Sequence, residues 1–311
     1  MPSTLEIALR GGGGEPVDLR RTLTSHGFVD LAPFRLDQAT QTLEVTLEVP
    51  RGRPRRVRIS TGRRGHARVL VDGPPPAPAT AEALIATVRH VLRLDADLSP
   101  FYAMAAADPD LSWAASGAGR MVQSPTVFED VVKTVCTTNC TWSATERMVN
   151  AIVTHLGRTA AGIRPEARPD GPLGRSFPTA AAMAGAGEAF YREVARAGYR
   201  GPYLIGIARA VTAGELDLDA LQRATPDELP DDELERRLLA LPGVGPYAAA
   251  HIMMTIGRYS RLILDSWTRP TYARLAGKKT ASDAQILRRF RKFGPYAGLA
   301  FWLFVTRDWV D

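Results

Sequence analysis

Cysteine is nearly absent. Cys136 and Cys140 are the two in 311 residues, too few for a disulfide framework and consistent with a reducing compartment. Their i,i+4 spacing can place both on one helical face. Without a nearby His or further Cys, two small half-buried side chains are favoured over a metal site, and no iron–sulfur cluster is expected. No apolar run approaches the roughly 20 residues a membrane span needs, and the first residues lack the basic-then-apolar pattern of a signal peptide. The expectation is a cytoplasmic protein with no membrane partner. Also missing are a fixed-period repeat, a phosphate-binding glycine loop, a metal-ligand cluster and a nucleophile elbow. Those absences argue against a solenoid and against the common small-molecule enzymes.

What is present is ordinary globular composition, 45% hydrophobic and 23% charged, in a chain long enough for roughly two domains. Lys plus Arg outnumber Asp plus Glu by 39 to 33, for a net charge of +6 and a pI near 9.6. That field favours polyanions such as nucleic acid. Leu43, Val45, Leu47 and Val49 alternate with Glu44, Thr46 and Glu48, the pattern of a half-buried strand. Shorter apolar segments at Leu5, Ile7 and Leu9 and at Val69 to Val71 suggest a small antiparallel sheet within residues 1–75. The Pro-rich segment Pro74 to Pro78 closes it. Between Arg51 and Arg68 lie eight arginines and no acidic residue. The stretch can hold phosphates or be a solvated hairpin.

Past Thr80 the periodicity turns helical, with start signals at Ser124-Pro125, Thr225-Pro226 (Glu228 completing a capping box) and Gly245-Pro246. The fold class expected is α+β, mainly helical. The most informative segment is Leu238 to His251, which predicts helix, tight turn, helix. Leu234, Leu238 and Leu241 mark an apolar stripe; Gly243 and Gly245 allow close backbone approach; Pro246 suits a helical first turn. The hairpin Leu241, Pro242, Gly243, Val244, Gly245 can offer backbone N–H groups and a helix N-terminus to a DNA phosphate, independent of base sequence. Asp265 follows Tyr247 by 18 residues. By itself it is equally an ordinary helix N-cap.

The hairpin combined with this aspartate resembles the helix-hairpin-helix DNA glycosylase superfamily. Ser124 to Asn139, Phe177-Pro178-Thr179, Gly198-Tyr199-Arg200 and Gly294 to Gly298 look like successive segments of the 8-oxoguanine and 3-methyladenine II branches. The resemblance implies an N-terminal antiparallel β domain over 1–75, one helical lobe from 76–124 and 258–311, and another from 125–257 carrying the hairpin. It implies double-stranded DNA containing a damaged base as partner and Asp265 as the catalytic carboxylate. Breaking an N-glycosidic bond develops positive charge on the sugar, which a carboxylate stabilises while it orients water. The base must first leave the stack. Asn139, Tyr199 and Arg200 match the wedge and opposite-strand positions. The resemblance further implies a structural Na+ or K+ held by the carbonyls of Leu239, Leu241 and Val244, with no cofactor required, in a monomer.

Departures from the pattern narrow the expectation. Tyr247 occupies the position at which lyase-competent members place lysine, so no amine is available there to form a Schiff base. Phe301 stands where a base-reading glutamine is expected, and Ala144 where a second arginine is. Trp142, Trp267, Phe301 and Trp302 are pocket candidates suited to an electron-poor alkylated purine, although some are expected to be core. Rival readings are an 8-oxoguanine-type enzyme, a glycosylase-lyase using Lys278 or Lys279, and a DNA-binding protein that has lost the reaction.

Overall fold

The computed structural model describes residues 2–163 and 171–310. Five strands, β1 (Ser3–Ala8), β2 (Arg35–Asp37), β3 (Thr42–Leu47), β4 (Arg55–Thr61) and β5 (His66–Val71), form one antiparallel sheet in the order β1-β5-β4-β3-β2. The alternation at Leu43 to Val49 does set the register: Leu43 faces Ile59, and Val57 faces Val71. The arginine-rich stretch is β4 and its turn. Val57 and Ile59 are buried while Arg56 and Arg58 project outward to Asp72, at 2.6 and 2.9 Å. Arg63 pairs with Glu6 at 2.7 Å. Three of the eight arginines are thus ion-paired to Asp72 and Glu6 within the sheet.

The helix Pro78–Val91 lays Leu84, Val88 and Val91 against the sheet and completes its core. Two further cores are helical. One gathers Val131, Val135, Val149, Ile152, Leu204, Leu234 and Leu238; the other gathers Phe101, Tyr102, Tyr272, Phe290, Leu299 and Phe301. The helix Pro246–Thr255 contributes to both, with Ala249 and Ile252 in the first and Ala250 and Met254 in the second. Every residue from Ala248 to Thr255 is buried, which fixes the helix as a wedge between the lobes. Small alanine side chains allow that close approach. Cross-links hold the three units in place. Trp302 donates its indole N–H to the Ser25 carbonyl at 2.7 Å, and Arg93 donates to the Thr255 carbonyl at 2.9 Å.

The capping box at Thr225 and Glu228 is present, with the Thr225 N–H donating to the Glu228 carboxylate at 2.9 Å. It closes a single turn before Pro230 rather than a helix.

Candidate active site

Where the lobes and the sheet unit meet, a cleft of about 1120 Å³ opens beside the N-terminus of the helix Pro246–Thr255. Asp265, Tyr247, Asn139, Tyr199, Trp142, Trp267 and Trp302 all line it, together with Gly243 and Gly245 of the hairpin. Residues remote in sequence are therefore brought to one surface.

Asp265 is held at the start of the helix Thr268–Leu275. Its Oδ1 accepts from the N–H groups of Trp267 and Thr268, at 2.8 and 2.6 Å, while its own N–H donates to Thr268 Oγ1 at 2.9 Å. Thr268 Oγ1 in turn donates to the Ile263 carbonyl at 2.8 Å. One carboxylate oxygen thus caps the turn that leads into the helix. Its Oδ2 has no hydrogen-bond partner among the described residues. Arg269, one turn on, is drawn to Asp283 at 2.7 Å.

Tyr247 sits in the first turn of the hairpin's second helix, its hydroxyl 3.5 Å from Thr137 Oγ1. Burial pushes its pKa up, and the negative charge of Asp265 adds to the effect, so the phenol stays protonated. No lysine lines the cleft among the described residues, and Lys278 and Lys279 are exposed elsewhere.

In the hairpin, the Leu241 N–H bonds to the Leu238 carbonyl at 3.0 Å and the Val244 N–H to the Leu241 carbonyl at 3.2 Å. Gly243 has φ of 77°, and a Cβ there would stand 2.6 Å from the Tyr203 ring. Gly245 is different. Its φ is −100°, and a Cβ there would meet nothing within 4 Å. The glycine at 243 is demanded by the fold, whereas at 245 it leaves the helix N-terminus open to an approaching group. The carbonyls of Leu239 and Val244 accept no hydrogen bond among the described residues. Leu241's accepts one, which leaves it a lone pair. Three such oxygens suit a hard monovalent cation.

Asn139, at φ of 48°, donates to the Tyr199 hydroxyl at 3.3 Å. Both side chains are exposed at the mouth of the cleft. Arg200 does not join them. It is buried, its guanidinium donates to the Thr138 carbonyl and stacks 4.5 Å from the Tyr199 ring centroid, and it does not line the cleft. Expected as an opposite-strand contact, it instead braces the turn that presents Asn139 and Tyr199.

Phe301 is a second correction. It is fully buried against Phe290 and Tyr272, at 5.4 and 6.3 Å between centroids, and does not reach the cleft. The helix Ala297–Thr306 is buried on all sides, so its sequence has no polar face to show which residues point inward. Trp302 does reach the cleft, in a cluster with Trp267 and Trp309 whose centroids lie 5.5 to 6.0 Å apart. Trp142 stands across from them beside Gly27, where a Cβ would approach its ring to 2.9 Å.

Sequence reasoning missed Trp309 and two histidines, His26 and His251, all of which line the cleft. His251 carried a usable signal: it follows Tyr247 by four positions, on the same helical face. His26 carried none, because only the tertiary fold brings it to the site.

No protein-family model and no curated protein sequence matches the chain. Solved structures do. The 3-methyladenine DNA-glycosylase from Archaeoglobus fulgidus superposes with a TM-score of 0.72 at 18% identity, over 99% of this chain and 100% of that one. The Clostridium acetobutylicum 8-oxoguanine glycosylase/lyase gives 0.71 at 16% identity, over 98% and 97%. The same enzyme with double-stranded DNA containing cytosine opposite 8-oxoguanine gives 0.70 at 18%, over 99% and 98%. End to end, this chain has the fold of the 3-methyladenine and 8-oxoguanine DNA glycosylases.

Proposed function

We propose that the protein is a monofunctional DNA glycosylase that flips a damaged base from double-stranded DNA and hydrolyses its N-glycosidic bond. The observation that carries the reading is Asp265 in the cleft, Oδ1 tied to two backbone N–H groups and Oδ2 without a hydrogen-bond partner among the described residues. A fixed carboxylate with one free oxygen can stabilise the positive charge that develops on the sugar and orient water toward it.

Two features of the lining support the finer reading. With no lysine lining the cleft among the described residues, water is the available nucleophile rather than an amine, so the strand would stay intact after base loss. Among the described residues the lining includes two carboxylates, Asp30 and Asp265, and no lysine or arginine, beside the indoles of Trp142, Trp267, Trp302 and Trp309. Aromatic faces and carboxylates attract a cation, which favours an alkylated purine over a neutral lesion. Gly243 and Gly245 would seat a backbone phosphate, and Asn139 with Tyr199 would fill the gap left by the flipped base. A Na+ or K+ on the Leu239, Leu241 and Val244 carbonyls would add positive potential at that phosphate.

The test is a panel of duplexes each carrying one lesion, including 3-methyladenine, 7-methylguanine, hypoxanthine, 8-oxoguanine and uracil, incubated with the protein and then treated with hot alkali. Strand breaks that appear only after alkali, and on the alkylated purines foremost, are expected. No breaks on any duplex would overturn the reading.

A further inference from the structure

His26 and His251 face each other in the cleft with ring centroids 5.8 Å apart and planes at 90°. They have opposite hydrogen-bonding states. His26 is saturated: its Nε2 lies 2.6 Å from the Val122 carbonyl, and its Nδ1 accepts from the Phe28 N–H at 3.3 Å. That fixes the tautomer, with the proton on Nε2. His251 is 7% exposed; its Nδ1 is closed off from the cleft and has no partner among the described residues, so a ligand in the cleft can be met only by Nε2. Besides His26, the rings of Phe28 at 4.5 Å and Tyr247 at 6.1 Å pack against it.

A histidine kept only for packing normally bonds its buried nitrogens, as His26 does, because a buried polar atom left unsatisfied loses its hydration without compensation and costs stability. Position 251 bears that cost at the wall of the cleft, one helical turn from Tyr247. Burial, reinforced by His26, also pushes the His251 imidazole down to about 3, so it keeps a lone pair at any working pH. A neutral imidazole is compatible with a cationic base beside it. A protonated one would repel it.

Resting on the glycosylase reading above, we propose that His251 reads the flipped base by accepting a hydrogen bond from the exocyclic amino group of an alkylated purine. The positive charge of such a base makes its amino N–H a stronger donor, which increases the discrimination against lesions without an amino group. Phe28 and Tyr247 would bound the base by shape. His26, with both nitrogens spent, holds Phe28 and the facing wall in position.

The experiment compares single-turnover excision from duplexes carrying 3-methyladenine, 7-methylguanine or hypoxanthine, the last lacking an amino group. His251→Phe keeps the ring's packing and removes the acceptor. It should lower the ratio of 3-methyladenine to hypoxanthine rates by at least about tenfold, the scale expected when a site built to hydrogen-bond a substrate group loses the bond. His251→Gln, which restores an acceptor, should recover part of the ratio and keeps the test open if the phenylalanine variant folds poorly. Affinity for undamaged duplex should follow the wild type in both. An unchanged ratio, or an equal loss on all three lesions, would overturn this assignment alone. If the wild-type protein excises none of the three, the glycosylase reading fails and takes the assignment with it.

Discussion

Asp265 divides its two oxygens between structure and chemistry. Oδ1 caps the turn that leads into the helix Thr268–Leu275, while Oδ2 has no hydrogen-bond partner among the described residues, so a capping role and a chemical role are complementary rather than exclusive. Tyr247 marks the other limit of the chemistry. Its phenol is held protonated by burial and by the Asp265 charge and cannot form an imine. Borohydride should therefore trap no covalent complex between the wild-type protein and lesion-bearing DNA. Tyr247→Lys should introduce weak trapping, because the new amine would enter the same cleft as Asp265. Efficient trapping of the wild type would contradict the monofunctional reading. The residues that sequence placed wrongly failed for local reasons. Arg200 matched an opposite-strand contact but is held by the Thr138 carbonyl. Phe301 looked like a pocket aromatic but sits in a helix buried on every side.

At the scale of elements, the glycine hairpin was legible because glycine and proline punctuate the backbone directly. Strand β4 was not. Its period-2 pattern of Val57 and Ile59 is masked by arginines at 55, 56 and 58, which read as a charge run until Asp72 is seen to pair with Arg56 and Arg58. The two hairpin glycines should respond differently to substitution. Gly243→Ala meets both a left-handed backbone and the Tyr203 ring at 2.6 Å, so it should lower the melting temperature, with a loss on the order of 1–3 kcal/mol. Gly245→Leu places its side chain in open space. It should leave melting nearly unchanged and weaken binding to damaged and undamaged duplex alike, since a phosphate contact is blind to the base. Loss of affinity for damaged DNA alone would assign Gly245 to the base pocket.

At the scale of the molecule, the α+β layout follows from hydrophobic period, but the meeting of His26 with His251 does not. It depends on how the sheet unit docks against the helix Pro246–Thr255, and no local pattern encodes that docking. The pair has a consequence for stability. His251 has its imidazole lowered to about 3 from an ordinary 6.5, and His26 is lowered to about 4, in each case mainly by burial. On acidification the unfolded chain takes up protons the folded one refuses, so each histidine costs stability as pH falls below about 6.5. Asp130, raised to about 7 by burial, acts in the opposite sense. Comparing wild type with His251→Phe cancels every group but one. In urea melts, the wild type should lose about 2 kcal/mol relative to the variant between pH 7.5 and pH 5. Parallel curves would contradict a buried neutral His251.

The central claim is that a carboxylate at position 265 breaks the glycosidic bond, and the most direct measurement is single-turnover excision by Asp265→Asn on the best lesion duplex, alongside its affinity for that duplex. Asparagine keeps an oxygen for the Trp267 and Thr268 N–H groups, so the fold and DNA binding should persist. Excision should fall by at least about a hundredfold, the lower scale for loss of acid–base assistance. Near-normal excision by the variant would contradict the account and remove Asp265 from the mechanism.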